Sequence, residues 1–550
     1  MAKTDDNVFD IVVLGGGITG AGVARDAALR GLKVAIFEKN DWGSGTSSKS
    51  SKLVHGGLRY LEKGEIPLVF ESVSERAVQM EMAPHLVRPL PFLLPVYASH
   101  KYGVEALNIG LWIYDALAMF RSPKLHKTYR GKKAKELEPL MMSEDLKGAI
   151  SYYDCFTDDS RLVLENIIAA HDAGAVCKSY TKITKVTKRQ SGRIHSIQTK
   201  NSLDGSVQEV RTKSLVVAAG PWTDRVLTMT EDAQHKPLLK PTKGVHVVFP
   251  KERLPLKQAV TVISPIDGRV MFAIPWRDRL VLGTTDTFFD GDPNHVHADK
   301  DDVEYLCKSG NYFFPSAKFT PEDVISTWAG LRPLISEDAD SASDVSREHQ
   351  INMSDSGIHW IAGGKLTTYR IMADEILDKT VRWLKDFYPS LFDKRKLIKE
   401  KTRELPLPGA ASLTSHSEKG VEDFAKNLES EHIDSDTALH LAFIYGTNAK
   451  KVTQWVDRDP GLATRIVSDL PHIWAEVHYS IAHEHIETVD DLLSRRIPLL
   501  LIARDQGLGV LEKCADILKD ARGWDSERVG QEITWYQESV ADSRRFRSPA

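Results

Sequence analysis

Cysteine is scarce. Cys155, Cys177, Cys307 and Cys514 are the only four in 550 residues, and no two form a Cys-x-x-Cys pair. That spacing excludes a disulfide framework, a zinc ribbon and iron-sulfur ligation, and leads us to expect reduced thiols in a cytosolic setting. No apolar run approaches the roughly 18 to 20 residues that a bilayer span requires; residues 497–503 are a typical short example. The opening MAKTDDNVFDIVVLGGG has two acids where an export signal is basic, so export is not expected. Neither charge dominates. Lys plus Arg total 72 against 76 Asp plus Glu, a formal net charge of -4, so no global field draws nucleic acid. Repeats and low-complexity tracts are missing as well, and 42% hydrophobic with 27% charged residues is ordinary globular composition.

At about 100 to 200 residues per domain, the length corresponds to three or four domains. Residues 9–14 form a β-rich apolar run that stops at Gly15, helical spacing follows from Gly17 to Arg30, and residues 32–37 form a second run closing on Glu38. This is one βαβ unit. Residues 43–61 then lose periodicity in Ser, Thr and Gly, which predicts a long functional loop. Further strands are predicted at 182–186, 193–199, 214–219, 240–249, 259–263, 269–274, 280–283 and 358–362, and helices at 162–173 and 367–383. The strands between 240 and 283 read as an antiparallel sheet of a second, substrate-side region. After the hinge LPLPG at 405–409, residues 418–537 are helical in pattern and are expected to form a separate C-terminal domain, with the last residues, SRRFRSPA, frayed.

Gly15, Gly17 and Gly20 match G-x-G-x-x-G between a strand and a helix, and Glu38 ends the next strand. In that context the glycines allow a tight turn, backbone approach to a pyrophosphate at the positive helix end, and close packing, while the acid accepts from ribose hydroxyls. NAD and FAD share this half. The hydroxyl-rich GSGTSSKSSKLVHGGLRYLE after Glu38 suits the second phosphate and ribitol of a flavin. Late in the chain, AGGKLTT at 362–368 sets glycines before a helix N-terminus, which stabilises negative charge developing on a reduced flavin ring.

These segments, with DDSRLV at 158–163, AAGPWTD at 218–224, KGVHVV at 243–248, GTTDT at 283–287, AGLRPL at 329–334 and GGKLTTYR at 363–370, resemble the FAD-dependent glycerol-3-phosphate dehydrogenases over about residues 8 to 540. The resemblance implies an α/β plus α fold: an FAD-binding Rossmann-type domain of the D-amino-acid-oxidase-like flavoprotein superfamily, an antiparallel-sheet substrate domain and a C-terminal helical domain. The expected division is an oxidoreductase region at 1–404 and a helical domain at 405–550. Within the first, FAD-binding pieces fall at about 8–80, 150–235 and 325–385, and substrate pieces at 81–149 and 236–324. It also implies oxidation of sn-glycerol 3-phosphate to dihydroxyacetone phosphate with electrons passed to a membrane quinone. The expected location is cytoplasmic, peripherally on the inner face of the cell membrane. Expected partners are glycerol 3-phosphate, the quinone, the membrane surface and a second copy in a homodimer, without nucleic acid.

Substrate contact is carried by the resemblance onto Arg59, Tyr60, His246, Arg332, Lys365 and Thr367. Cofactor contact is expected at Gly15, Gly17, Gly20, Glu38, Lys39, Thr46, Ser47, Lys52, Leu53, His55, Gly56 and Gly57, and again at Val186, Gly220, Trp222, Gly364, Lys365, Leu366 and Thr367. Oxidising a secondary alcohol needs a base for the hydroxyl proton and cations for the phosphate dianion. His246 is the first choice of base and His55 its rival, with Lys365 polarising the C2 oxygen and Arg332 and Arg59 on the phosphate. The histidines of HYSIAHEHIE lack metal-ligand spacing, and no metal is expected. A glycerophosphate oxidase, a flavin amine or amino-acid oxidase and a non-catalytic flavin scaffold are the alternatives. Residues 104–120 read as a helix apolar on nearly every face, followed at 121–135 by seven Lys or Arg and no acid. That is either a membrane-facing segment or a buried helix with a solvated basic loop.

Overall fold

The computed structural model describes residues 8–230, 237–336, 347–393 and 397–547; the opening seven residues, the expected boundary at 235/236 and the last three residues lie outside them. Val8–Leu14, Val34–Phe37, Val207–Val217 and Ile358–Gly363 run parallel in one sheet, in the order Ile358–Gly363, Val207–Val217, Val8–Leu14, Val34–Phe37. Val12, Ile36, Leu215 and Val216 are fully buried, as strands covered on both faces must be. Ile18–Leu29 crosses between the first two and packs against Asp159–Asp172 and Tyr369–Phe387. Val207–Val217 begins well before the predicted 214. Its first half pairs antiparallel with Ile194–Asn201 and its second half parallel with Val8–Leu14, so the polar opening VQEVR conceals a strand whose N-terminal half is largely exposed.

Among the described residues the second sheet has ten strands, and all of their pairs are antiparallel except Ala259–Ile263 beside Arg88–Tyr97. It draws on more of the chain than expected. Leu53–Val54, from the hydroxyl-rich loop, closes one edge, and Ser326–Arg332, assigned from sequence to the nucleotide region, pairs with Thr242–Pro250. Both departures bring site residues from the first region onto the second.

Residues from 405 onward are helical, but they are not separate in packing. Trp474, Leu492, Leu499 and Tyr536 share one hydrophobic core with Phe92, Tyr114, Trp276 and Trp328. Arg495 and Arg496 both reach the fully buried Asp41, and Arg161 pairs with Glu484 at 2.7 Å. The helices cannot cover their own apolar faces, and the second sheet supplies the missing layer. Nor does fraying reach Phe546, which is buried in the core of that sheet, with Arg547 donating to the Val324 carbonyl at 2.6 Å.

Candidate active site

The glycine turn has the shape its spacing requires. Gly15 adopts φ +106°, and a Cβ there would lie 2.5 Å from the Ala218 carbonyl oxygen; at Gly20 it would lie 1.9 Å from that of Gly15. The Glu38 carboxylate accepts from the Gly16 and Asn40 N–H groups at 2.7 and 2.9 Å. Burial pushes its pKa up while those N–H groups pull it back. Ser47 Oγ accepts from the Ile18 N–H at 2.9 Å, docking the hydroxyl-rich loop on the N-terminus of the first helix. Gly17, Gly220, Trp222 and Lys39 lie at this same C-terminal edge of the parallel strands, where α/β sheets take their ligands. Val186 packs nearby with Val12 and Phe37. These features fit a dinucleotide: a backbone turn that tolerates no Cβ, a helix end and a buried acid.

Beyond the turn, a cavity of about 920 Å³ lies between the sheets. It gathers Thr46, Ser47, Leu53, His55, Gly57, Arg59, Tyr60, His246, Arg332, Gly364, Lys365, Leu366 and Thr367. The 43–61 and 363–368 segments meet there: Thr367 Oγ1 accepts from the His55 N–H at 3.1 Å and donates to its carbonyl at 3.2 Å. That hydroxyl therefore joins the two loops. Strand register places the rest. His246 stands between Gly283 and Trp328 on the neighbouring strands, and Gly244 is paired with Gly330. A Cβ at Gly283 would lie 2.3 Å from the His246 ring, and one at Gly244 2.5 Å from the Arg332 guanidinium. The glycines of LGTT and KGVH are thus the space in which His246 and Arg332 lie.

Among the described residues, seven basic side chains line the cavity, Lys49, Arg59, Lys101, Arg269, Arg332, Arg347 and Lys365, against three carboxylates, Glu62, Asp154 and Asp286. Arg332 Nη1 donates to Asp286 at 2.9 Å, and Arg347 Nη2 shares that carboxylate at 3.2 Å. The buried Arg347 Nη1 has no hydrogen-bond partner among the described residues. The described residues leave this end of the cavity with more basic groups than acids, a setting suited to a dianion. Lys365 Nζ lies 3.8 Å from the centre of the Tyr60 ring and 3.4 Å from Ser72 Oγ. Burial brings its pKa down to about 7. Burial also takes His55 down to about 4. His246 is likewise driven well below its usual value by burial, then by Arg332 and Lys52; its Nε2 lies 2.8 Å from Ser51 Oγ and its ring stacks on Trp328.

Two expected cofactor residues are engaged by other groups. The Lys52 ammonium binds Asp159 at 2.6 Å and the Ser48 carbonyl at 3.2 Å, and Gly56 is packed under Tyr114 and Val73. Arg347 was missed because no glycine or periodic strand flags it in SDVSREHQ. Asp286, in GTTDT, could have been found from its motif. A different histidine group from the one weighed in sequence comes together at His440, His472 and Glu476. Arg277, which can only donate, lies 3.3 Å from His472 Nε2, so Nδ1 carries the proton and donates to Glu476 at 3.2 Å. With His440 at 3.0 Å and the Tyr445 hydroxyl at 3.0 Å on the same oxygen, the trio is a hydrogen-bond hub.

Comparison with known proteins bears on this geometry. The family described as FAD dependent oxidoreductase matches residues 10–370, and the C-terminal domain of alpha-glycerophosphate oxidase matches residues 400–529. The chain is 37% identical over 520 residues to the aerobic glycerol-3-phosphate dehydrogenase of Staphylococcus saprophyticus, covering 94% of this chain and 92% of that one. A solved glycerol-3-phosphate dehydrogenase from Bacillus halodurans, complexed with FAD, superposes with a TM-score of 0.80 at 30% identity over 99% of this chain and 97% of that one. The L-alpha-glycerophosphate oxidase of Mycoplasma pneumoniae shares the fold, with a TM-score of 0.55 at 18% identity over 73% of this chain and 99% of that one.

Proposed function

The chain belongs to the FAD dependent oxidoreductases and, among them, to the family of the aerobic glycerol-3-phosphate dehydrogenases, and from that premise we propose how its residues oxidise C2 of sn-glycerol 3-phosphate. FAD, held through the Gly15–Gly20 turn, Glu38 and the 364–367 segment, supplies when bound the acceptor for the C2 hydride, and a membrane quinone takes the electrons on. Arg332 and Arg347 bind the phosphate dianion, and the observation that carries this reading is their joint dependence on one carboxylate, Asp286. Arg59 lines the same cavity. Of Lys365 and the two expected bases, His246 and His55, Lys365 alone has a pKa matched to neutral pH. Its neutral amine takes the hydroxyl proton, while His246, kept uncharged by burial beside Arg332, hydrogen-bonds the C2 oxygen. This exchanges the roles expected for His246 and Lys365.

The acceptor side rests on the Val104–Leu117 helix. Ile109 is 62% exposed, Trp112 50% and Phe120, just past the helix, 59%, so the expected all-round apolar helix is not a core helix. Leu107 and Gly110 line the cavity, as does Ile113, itself 45% exposed. One helix therefore lies between the site and an apolar outer surface bordered by the basic 121–135 segment, which supports a peripheral contact with lipid on the cytoplasmic face. No helix among the described residues is long and apolar enough to cross a membrane. The decisive experiment is a visible spectrum of the purified protein before and after anaerobic glycerol 3-phosphate: bleaching of the flavin bands is expected, and an unchanged spectrum overturns the substrate. Stoichiometric peroxide in air, with no reduction of a quinone analogue, would instead favour the oxidase.

A further inference from the structure

Beside the glycine turn, two side chains far apart in sequence converge on one atom of a third. Asn294 Oδ1 accepts from Lys39 Nζ at 2.6 Å and from Trp222 Nε1 at 2.9 Å. Lys39 follows Glu38, and Trp222 follows Gly220 beyond the Val207–Val217 strand, so both rise from the strand edge on which the dinucleotide fingerprint stands. Asn294 comes from the other region, on the chain between Thr287–Phe288 of the second sheet and the Lys300–Phe313 helix. Its amide can face only one way. Lys39 and Trp222 can only donate, while the Asp292 carboxylate, which takes the Asn294 N–H and Nδ2 at 2.9 Å each, can only accept. Asp292 is anchored in turn by Arg225 at 2.9 Å.

The bridged pair is itself a contact. Lys39 Nζ lies 4.0 Å from the centre of the Trp222 ring, and burial lowers its pKa, so the cation is partly stripped of water where it meets the π face. The indole packs against the hydroxyl-rich loop: a Cβ on Gly45 would lie 3.1 Å from it. The result is a strap from the substrate region, across Lys39 and Trp222, to the loop after Glu38. None of its members lines the substrate cavity.

We infer that Asn294 is a positioning residue that closes this strap over the adenosine half of FAD and sets how slowly the cofactor leaves. The inference rests on FAD lying at the Gly15–Gly20 turn. Wild-type protein purified without flavin would sink that reading, whereas the test below starts from yellow holoenzyme and addresses Asn294 alone. Release of FAD is followed by its fluorescence after dilution of the holoenzyme. Asn294→Ala loses both bonds at the strap's centre and is expected to release FAD about tenfold faster, with the KM for glycerol 3-phosphate unchanged. Lys39→Met and Asn294→Ala combined should accelerate release by less than the product of their separate effects, because they break one contact. An unchanged release rate in Asn294→Ala overturns the inference, as do multiplying effects. A fall in the melting temperature of the Asn294→Ala apoprotein that accounts for the faster release also overturns it, because Asn294 would then merely staple its own loop.

Discussion

Two buried places in this molecule set a pair of arginines around an aspartate, and they are built to opposite ends. At the junction with the C-terminal helices, Arg495 and Arg496 face Asp41, and Asp490 and Asp491 also bind Arg495, at 2.9 and 3.0 Å. Arg496 also donates to the Glu484 carbonyl at 2.8 Å. In the cavity, Asp286 is the one carboxylate among the described residues that Arg332 and Arg347 both meet. The guanidinium pKa values record the difference. Burial opposes the charge of Arg495, but Asp41, Asp490 and Asp491 outweigh it and the pKa rises; for Arg332, burial prevails and the pKa falls. The first cluster is closed on itself and holds two regions together. The second stays open to an anion.

The closed cluster should therefore fail in stability and the open one in affinity. Asp41→Ala leaves two guanidiniums buried without their shared acceptor, and breaking a buried pair in this way costs about 3–5 kcal/mol. A large drop in melting temperature, or loss of soluble protein, is expected; a melting curve like that of the wild type would show that water reaches the junction. Arg347→Ala should leave the melting temperature nearly unchanged, since it removes a cation from a place already rich in them. It should raise the KM for glycerol 3-phosphate by the roughly 1.5–3 kcal/mol of a charged hydrogen bond, about ten- to a hundredfold. A KM equal to wild type would take Arg347 off the phosphate.

Sequence made these two places unequally visible. The glycine turn and the glycines of the 363–368 segment are local patterns that can be read from immediate neighbours, whereas a family resemblance singles out His246 and Arg332. Asp41 and Arg495 are 454 positions apart, and nothing near either one announces the other. The same holds for Arg347 and Asn294, whose partners arrive from another sheet or loop. The C-terminal helices read correctly as helices because 3.6-residue periodicity is local. Their union with the second sheet was illegible, because an apolar helix face does not say which surface will cover it.

A pH profile sharpens the account of the open cluster. The Lys365 pKa, lowered to about 7, means the amine carries its proton below that pH and loses it above. A base must be free of its proton, so kcat/KM should rise through about pH 7 and then level, an ascending limb reporting the free enzyme. His246→Gln should lower turnover yet keep the limb; Lys365→Met should abolish it. If the limb vanishes with His246 and survives without Lys365, the proton goes to the imidazole after all.

The smallest effect concerns cations that are neither closed nor buried. Lys132 is exposed, with Glu136 at 3.6 Å, and Lys133 follows it in the basic 121–135 segment, which meets the exposed Trp112 through the His126 ring. Exposed cations of this kind contribute little to folding, but a lysine near an anionic bilayer strengthens binding about fivefold. Lys132→Glu with Lys133→Glu should leave the melting temperature and the KM for glycerol 3-phosphate unaltered. Retention on vesicles containing anionic lipid should fall severalfold at low salt, and the difference should fade as salt screens both proteins alike. Retention equal to wild type at low salt would mean that these lysines only keep the surface hydrated, and the lipid contact would have to be sought on the apolar residues alone.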